Sequence, residues 1–183
     1  KTGAALWTLN GSANAIMPWV VSEGILSISS DDSLGDADGD LMLNGGALRT
    51  TADIISERQV VLTTGGGTIE PAASTEFELT GVVSGAGYLT KTGAGRVTLS
   101  GKNTYTGETI ISEGSLSLSG AGDISQSDRV NVEGVFDISN ASDVTIRRLR
   151  GNGIVELGLS ALTLSNANDA FAGALSGTGA FCL

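Results

Sequence analysis

The sequence predicts an all-β fold, a parallel β-helix whose short strands coil into about eight or nine rungs. Three observations carry that prediction. Pairs of aliphatic residues flank one polar or small residue throughout the chain, and glycine supplies 27 of 183 residues against 2 prolines. Aromatic residues amount to only 4%, so the core must be built from Leu, Ile, Val and Ala.

Taken in order, the strand triplets are Trp7-Thr8-Leu9, Leu26-Ser27-Ile28, Leu41/Leu43, Val60/Leu62 and Phe77/Leu79 in the first half. The second half continues with Val97-Thr98-Leu99, Leu116-Ser117-Leu118, Val130/Val132, Val144/Ile146, Val155/Leu157 and Leu162/Leu164. Each has the period of two that puts alternate side chains on opposite faces of a strand. Trp7, Leu9, Leu26, Leu99 and Leu116 are expected to point inward, Ser115 and Ser117 outward. Trp19 belongs in the core or at its rim. No stretch sustains apolar residues at i, i+3, i+4 and i+7, so helices are not expected.

The chain also repeats at a longer period. Lys1 to Ser29 lies without gaps on Lys91 to Ser119 at an offset of 90, with 13 identities in 29 positions, among them Gly3/Gly93, Leu9/Leu99, Gly24/Gly114 and Leu26/Leu116. Weaker matches follow: Leu41 to Gly45 on Val130 to Gly134, Gly67 to Glu70 on Gly153 to Glu156, and Gly81 to Leu89 on Gly173 to Phe181. Two units, 1–90 and 91–183, are therefore expected within one continuous β-helix. Asn10-Gly11 and Asn44-Gly45 would also suit hairpins of a β-sandwich. The near-identical triplets, with no paired cysteines and no core Trp at matching positions, favour the β-helix.

Composition limits the chemistry. Histidine is absent, which removes any Ser-His-Asp, Cys-His or histidine-ligated metal mechanism supplied by this chain. A net charge of -10 opposes nucleic acid and anionic membrane as bulk partners. The single Cys182 forbids an internal disulfide. The chain opens at Lys1 without a signal segment, and it has no apolar run long enough for a membrane-spanning helix, so it reads as part of a longer protein.

Four groups are candidates for a site. The run from Asp31 to Asp40 offers Asp36, Asp38 and Asp40 as a weak calcium set, because hard cations want several oxygens from one loop. An EF-hand count from Asp36 puts Leu41 where glycine is required and Ala47 where a glutamate belongs, so a solvated loop is the expectation. Arg147, Arg148 and Arg150 form a basic island for a partner, with an anionic glycan as the ligand it would suit, although such clusters usually only solvate a face. Glu76 and Glu78 share one side of a strand, as a glycosidase pair might, without a third positioned group. No catalytic residue and no cofactor are expected.

The stretch Leu89-Thr90-Lys91-Thr92-Gly93-Ala94-Gly95-Arg96-Val97-Thr98-Leu99-Ser100-Gly101-Lys102-Asn103-Thr104-Tyr105-Thr106-Gly107, followed by Gly114-Ser115-Leu116-Ser117-Leu118, resembles the passenger-associated transport repeat of bacterial autotransporters, the proteins of type V secretion. Residues 45–51, 65–70 and 79–87 are similar to the segment that precedes that repeat. In the first unit Ala13-Asn14-Ala15-Ile16-Met17 replaces the Asn-Thr-Tyr-Thr-Gly corner, and Phe181-Cys182-Leu183 departs from Leu89-Thr90-Lys91. The resemblance implies a right-handed, single-stranded parallel β-helix on the bacterial cell surface or secreted, reached through a C-terminal β-barrel. It also implies a noncatalytic stalk contributing to display, secretion-coupled folding and adhesion. The partners to expect are a host-cell surface or a second copy.

Overall fold

A computed structural model of the chain describes residues 1–12 and 18–183, so the replaced corner at 13–17 lies outside the described residues. Its first turns contain β1 (Leu6–Leu9), β2 (Trp19–Val21), β3 (Ile25–Ile28), a 3-10 helix Asp31–Leu34, β4 (Leu41–Leu43), β5 (Ala47–Thr50) and β6 (Ile54–Ser56). Then come β7 (Val60–Leu62), β8 (Gly67–Pro71), β9 (Glu76–Leu79), β10 (Val83–Gly85), β11 (Leu89–Lys91), β12 (Arg96–Leu99), β13 (Thr109–Ile111) and β14 (Ser115–Gly120). The last turns are built from β15 (Val130–Val132), β16 (Val135–Ala141), β17 (Val144–Ile146), β18 (Leu149–Gly151), β19 (Ile154–Gly158), β20 (Leu162–Leu164), β21 (Ala174–Gly177) and β22 (Phe181–Cys182).

These strands pair only in parallel, into sheets of eight (β1, β3, β5, β8, β11, β13, β15, β18), four (β2, β4, β7, β10), seven (β6, β9, β12, β14, β16, β19, β21) and three (β17, β20, β22). A strand and its neighbour in a sheet are one turn apart along the chain. Leu41, Val60 and Val83 follow Trp19 at intervals of 22, 19 and 23 residues. The product is a β-solenoid of about nine turns with three faces, roughly 40 Å long at about 4.8 Å per turn.

Register places like on like in the interior. On the seven-stranded face Phe77, Val97, Leu116, Phe136 and Val155 stack in one column, with Leu79, Leu99 and Leu118 in the next. On the eight-stranded face Leu26, Leu48, Ile69, Lys91, Ile111 and Val132 form a column. Leu26, Leu99 and Leu116 are fully buried as expected, and Leu9 is half-buried. Trp7 sits in the inward register opposite Leu26 yet is 53% exposed, because β1 is the terminal strand of its sheet. Trp19 is half-buried and its indole N–H donates to the Leu34 carbonyl at 2.8 Å. Ser117 lies opposite in register to Leu116 and Leu118 but is buried, covered by Arg96 and Asp137, whose side chains it contacts.

Strand pairing crosses residue 90 without interruption, since β11 joins β8 to β13. The sequence repeat and the solenoid turn do not share a period. β1, β2 and β3 lie on the eight-, four- and eight-stranded faces, whereas their sequence equivalents β12, β13 and β14 lie on the seven-, eight- and seven-stranded faces. The first unit thus takes four turns plus one face.

Leu116→Ala is expected to cost about 2 to 5 kcal/mol through lost burial and a cavity shared with Val97 and Phe136, whereas exposed Ile55→Ala should fall within about 0.5 kcal/mol. Urea denaturation with an unchanged m-value checks both.

Candidate functional site

The corner motifs shared by the two units are structural devices. Lys91 is buried in the inward column between Ile69 and Ile111, where an aliphatic residue is the rule. Its Nζ donates to the carbonyls of Thr92 and Gly93, each at 2.8 Å, and of Glu113 at 3.1 Å, so the three ammonium protons are all taken. Lys1 repeats the arrangement with Thr2, Gly3 and Glu23. Gly114, at φ +61°, permits the close approach: a Cβ there would lie 2.4 Å from the Gly95 carbonyl and 2.8 Å from Lys91 Nζ. Burial lowers the Lys91 pKa to about 8, against the opposing pull of Glu113 and Glu70.

The Asn-Thr-Tyr-Thr-Gly corner is likewise spent on the fold. Asn103 Oδ1 accepts from the Val83 N–H at 2.9 Å, and its Nδ2 donates to the carbonyls of Gly101 at 2.9 Å and Asp123 at 3.0 Å. One amide therefore ties together three successive turns. Tyr105 is buried with its hydroxyl 2.7 Å from Thr109 Oγ1, which meets Ser127 Oγ at 2.9 Å. Burial pushes the Tyr105 hydroxyl well above its ordinary pKa, keeping it a neutral hydrogen-bonding group.

The acidic run closes around an arginine that sequence reasoning missed. Arg58 is 1% exposed, and Nε donates to Asp31 Oδ1 at 3.1 Å. Nη1 donates to the carbonyls of Asp36 at 2.6 Å and Gly39 at 2.9 Å, and Nη2 to those of Asp31 and Gly35. Backbone oxygens of the kind a calcium ion would require are thus directed at a guanidinium. Asp36 Oδ1 accepts from the Asp38 N–H at 3.0 Å, Asp36 and Asp38 are exposed, and Asp40 is half-buried. Among the described residues, no three His, Cys, Asp or Glu side chains converge so as to hold a metal ion.

The basic island is largely paired. Arg148 bridges to Asp128, and Arg150 Nη2 lies 2.8 Å from Glu108 Oε1. Arg129, outside the expected cluster, bridges to Asp169 and holds that carboxyl below its ordinary pKa. Arg147 is exposed and has no ion pair among the described residues. Glu76 and Glu78 do project from one side of β9, where Glu78 Oε1 accepts from Ser100 Oγ at 2.7 Å and Glu76 accepts from Thr98. With Asp53, Arg96 and Ser115, Glu76 borders a shallow open groove of about 440 Å³. Arg96 is turned instead to Asp137, at 2.7 Å. Burial works to raise the Asp137 carboxyl, but hydrogen bonds from Ser139 and the Arg96 pair outweigh it and leave its pKa low.

One signal would have exposed several of these pairs. A turn takes about 20 residues, so residues about 40 apart stack two turns away. Arg96 with Asp137, Arg129 with Asp169 and Glu108 with Arg150 are separated by 41, 40 and 42 residues.

Two measurements test these arrangements. The unfolded chain holds the Lys91 proton up to about pH 10.5, whereas the folded chain releases it near pH 8. The unfolded state thus binds more protons between those values, and stability relative to Lys91→Met should rise with pH across that window. Millimolar calcium should shift Tm by no more than about 2 °C, because a weak site adds little to stability. A larger shift, abolished by Asp36→Ala, Asp38→Ala and Asp40→Ala together, would make the run a ligand set.

Comparison with known proteins agrees with the geometry. The passenger-associated transport repeat matches residues 89–118, the segment containing the Lys91 corner and the Asn103–Tyr105 corner. The adhesin BmaC autotransporter of Brucella suis biovar 1 (strain 1330) is 42% identical over 102 residues, which is 55% of this chain and 3% of that protein. No solved structure matches the chain. Solenoid, repeat and relative agree: the chain is a parallel β-solenoid that matches the passenger-associated transport repeat over residues 89–118 and is similar over 102 residues to an autotransporter adhesin.

Proposed function

We propose that this chain is a rigid, noncatalytic stalk segment of a surface passenger, attached to the outer membrane or released from it, that holds a more distal region away from the cell. The supporting observation is the interior: stacked Leu, Ile, Val and Phe columns fill it along the coil, leaving outward polar positions to face solvent. Each buried aliphatic side chain contributes on the order of 1.5 to 3 kcal/mol, and each turn contacts chiefly its neighbours, so ordering propagates turn by turn. Such a chain suits secretion: unfolded and without an internal disulfide it threads a pore, and folding outside prevents its return. This reading requires an outer-membrane barrel to supply the pore. No helix among them is long and apolar enough to cross a membrane.

A second reading places adhesion in this segment. It draws on the relative's name, an adhesin, and on Arg147 as an exposed cation beside Arg148 and Arg150 for an anionic glycan on a host surface. Replacing residues 1–183 in the full passenger by an unrelated β-solenoid of equal length separates the two readings. The stalk reading expects surface display and adhesion both retained. Retained display with lost adhesion, reproduced by Arg147→Ala and by added salt, would move the binding activity into this segment.

A further inference from the structure

We propose that the corner between the eight- and seven-stranded faces is a binding groove for an extended, uncharged glycan lying along the solenoid axis, about one sugar unit to a turn. Two openings make up the groove. The one of about 440 Å³ bordered by Asp53 and Glu76 shares Ala94, Arg96 and Ser115 with a second of about 680 Å³, which continues past Glu133 to Asn152, Ile154 and Glu156. The groove therefore crosses the turns of β6, β9, β12, β14, β16 and β19, five intervals or roughly 24 Å at about 4.8 Å each. One such interval is close to the length of a pyranose unit in an extended chain. The site goes beyond the stalk reading, which rests on the interior.

Packing between turns keeps this corner open. Its floor is a column of glycines, Gly95, Gly114, Gly134 and Gly153. A Cβ on Gly114, Gly134 or Gly153 would lie 2.4, 2.6 or 2.2 Å from the carbonyl oxygen of the glycine one turn before, so no side chain fills the floor. The walls carry partners for sugar hydroxyls: the Thr75 and Ser115 hydroxyls, the exposed Asn152 amide, and the Glu76, Glu133 and Glu156 carboxylates as acceptors. Val135 and Ile154, the latter 41% exposed, stand on adjacent turns in one outward column and offer an apolar strip to the C–H face of a sugar ring.

Charge and pairing disfavour other extended partners. Arg96, the one cation bordering the groove among the described residues, is committed to Asp137 at 2.7 Å, so the carboxylates set the local potential and repel acidic glycans. A peptide that docks by strand addition needs a free sheet edge. Here the N–H groups of Ser115, Val135 and Ile154 already donate to the carbonyls of Gly95, Gly114 and Gly134. A glycan is held by side chains and needs no such edge.

Titration calorimetry of the chain with β-1,4-linked oligomers of N-acetylglucosamine and of glucose, two to six units long, tests this. At least one series should bind, its affinity rising by at least roughly tenfold between two units and five as successive turns are engaged. Ser115→Arg, where the two openings meet, should lower that affinity by at least roughly tenfold and Ile154→Ser severalfold, whereas Thr145→Arg on β17 should leave it unchanged. If Ser115→Arg lacks a β-type circular dichroism spectrum, Ile154→Ser and Asn152→Ala are judged by the same readouts. No binding by either series, affinity indifferent to length, an equal loss with Thr145→Arg, or tighter binding of pentalysine or a heparin oligomer would each overturn the proposal.

Discussion

The structure depends on parallel register between turns about 20 residues apart. A strand of three or four residues has no stability alone, and its inward side chains find partners only in the turns on either side. Because the register sets Val97 on Phe77 and Leu116 on Val97, each rung inherits its position from its neighbours. A one-residue slip would carry a whole rung's aliphatic set to the outside. That penalty lets such short strands hold a fixed alignment.

Polar side chains reinforce this register. Asn103 joins three turns through its amide, Lys91 gathers carbonyls from two corners, and the Arg96–Asp137 pair reaches past the intervening Ser117. In each, the donor is matched to an acceptor of the chain itself. Lys91 shows why the repeat retains a charged residue in an aliphatic column. Positive-φ glycines at both corners turn carbonyls toward the axis, and an ammonium group with three protons satisfies them.

Much of this was legible in the sequence. The alternation of Leu116-Ser117-Leu118 and its counterparts identified strands and their inward faces, because period-two patterning is local. The 29-residue internal match located both glycine corners. The alternation sets Trp7 in the inward register but not its exposure, since stack ends are not written in the pattern. The composition of the acidic run marks a loop but not its capture of Arg58, because residues 31 and 58 meet only after the chain has completed a turn. Adjacency along the chain groups Arg148 with Arg150, whereas Asp128 and Glu108 decide their electrostatics from other turns.

The mismatch between unit and turn gives the repeat a handed progression in space. The first unit ends one face further around the axis than it began, so the Lys-Thr-Gly corners that open the two units look out in different directions. A tandem array of this kind is a screw rather than a ladder. A flat partner lying along one side would meet one of these two corners, whereas a partner that winds around the rod would meet both.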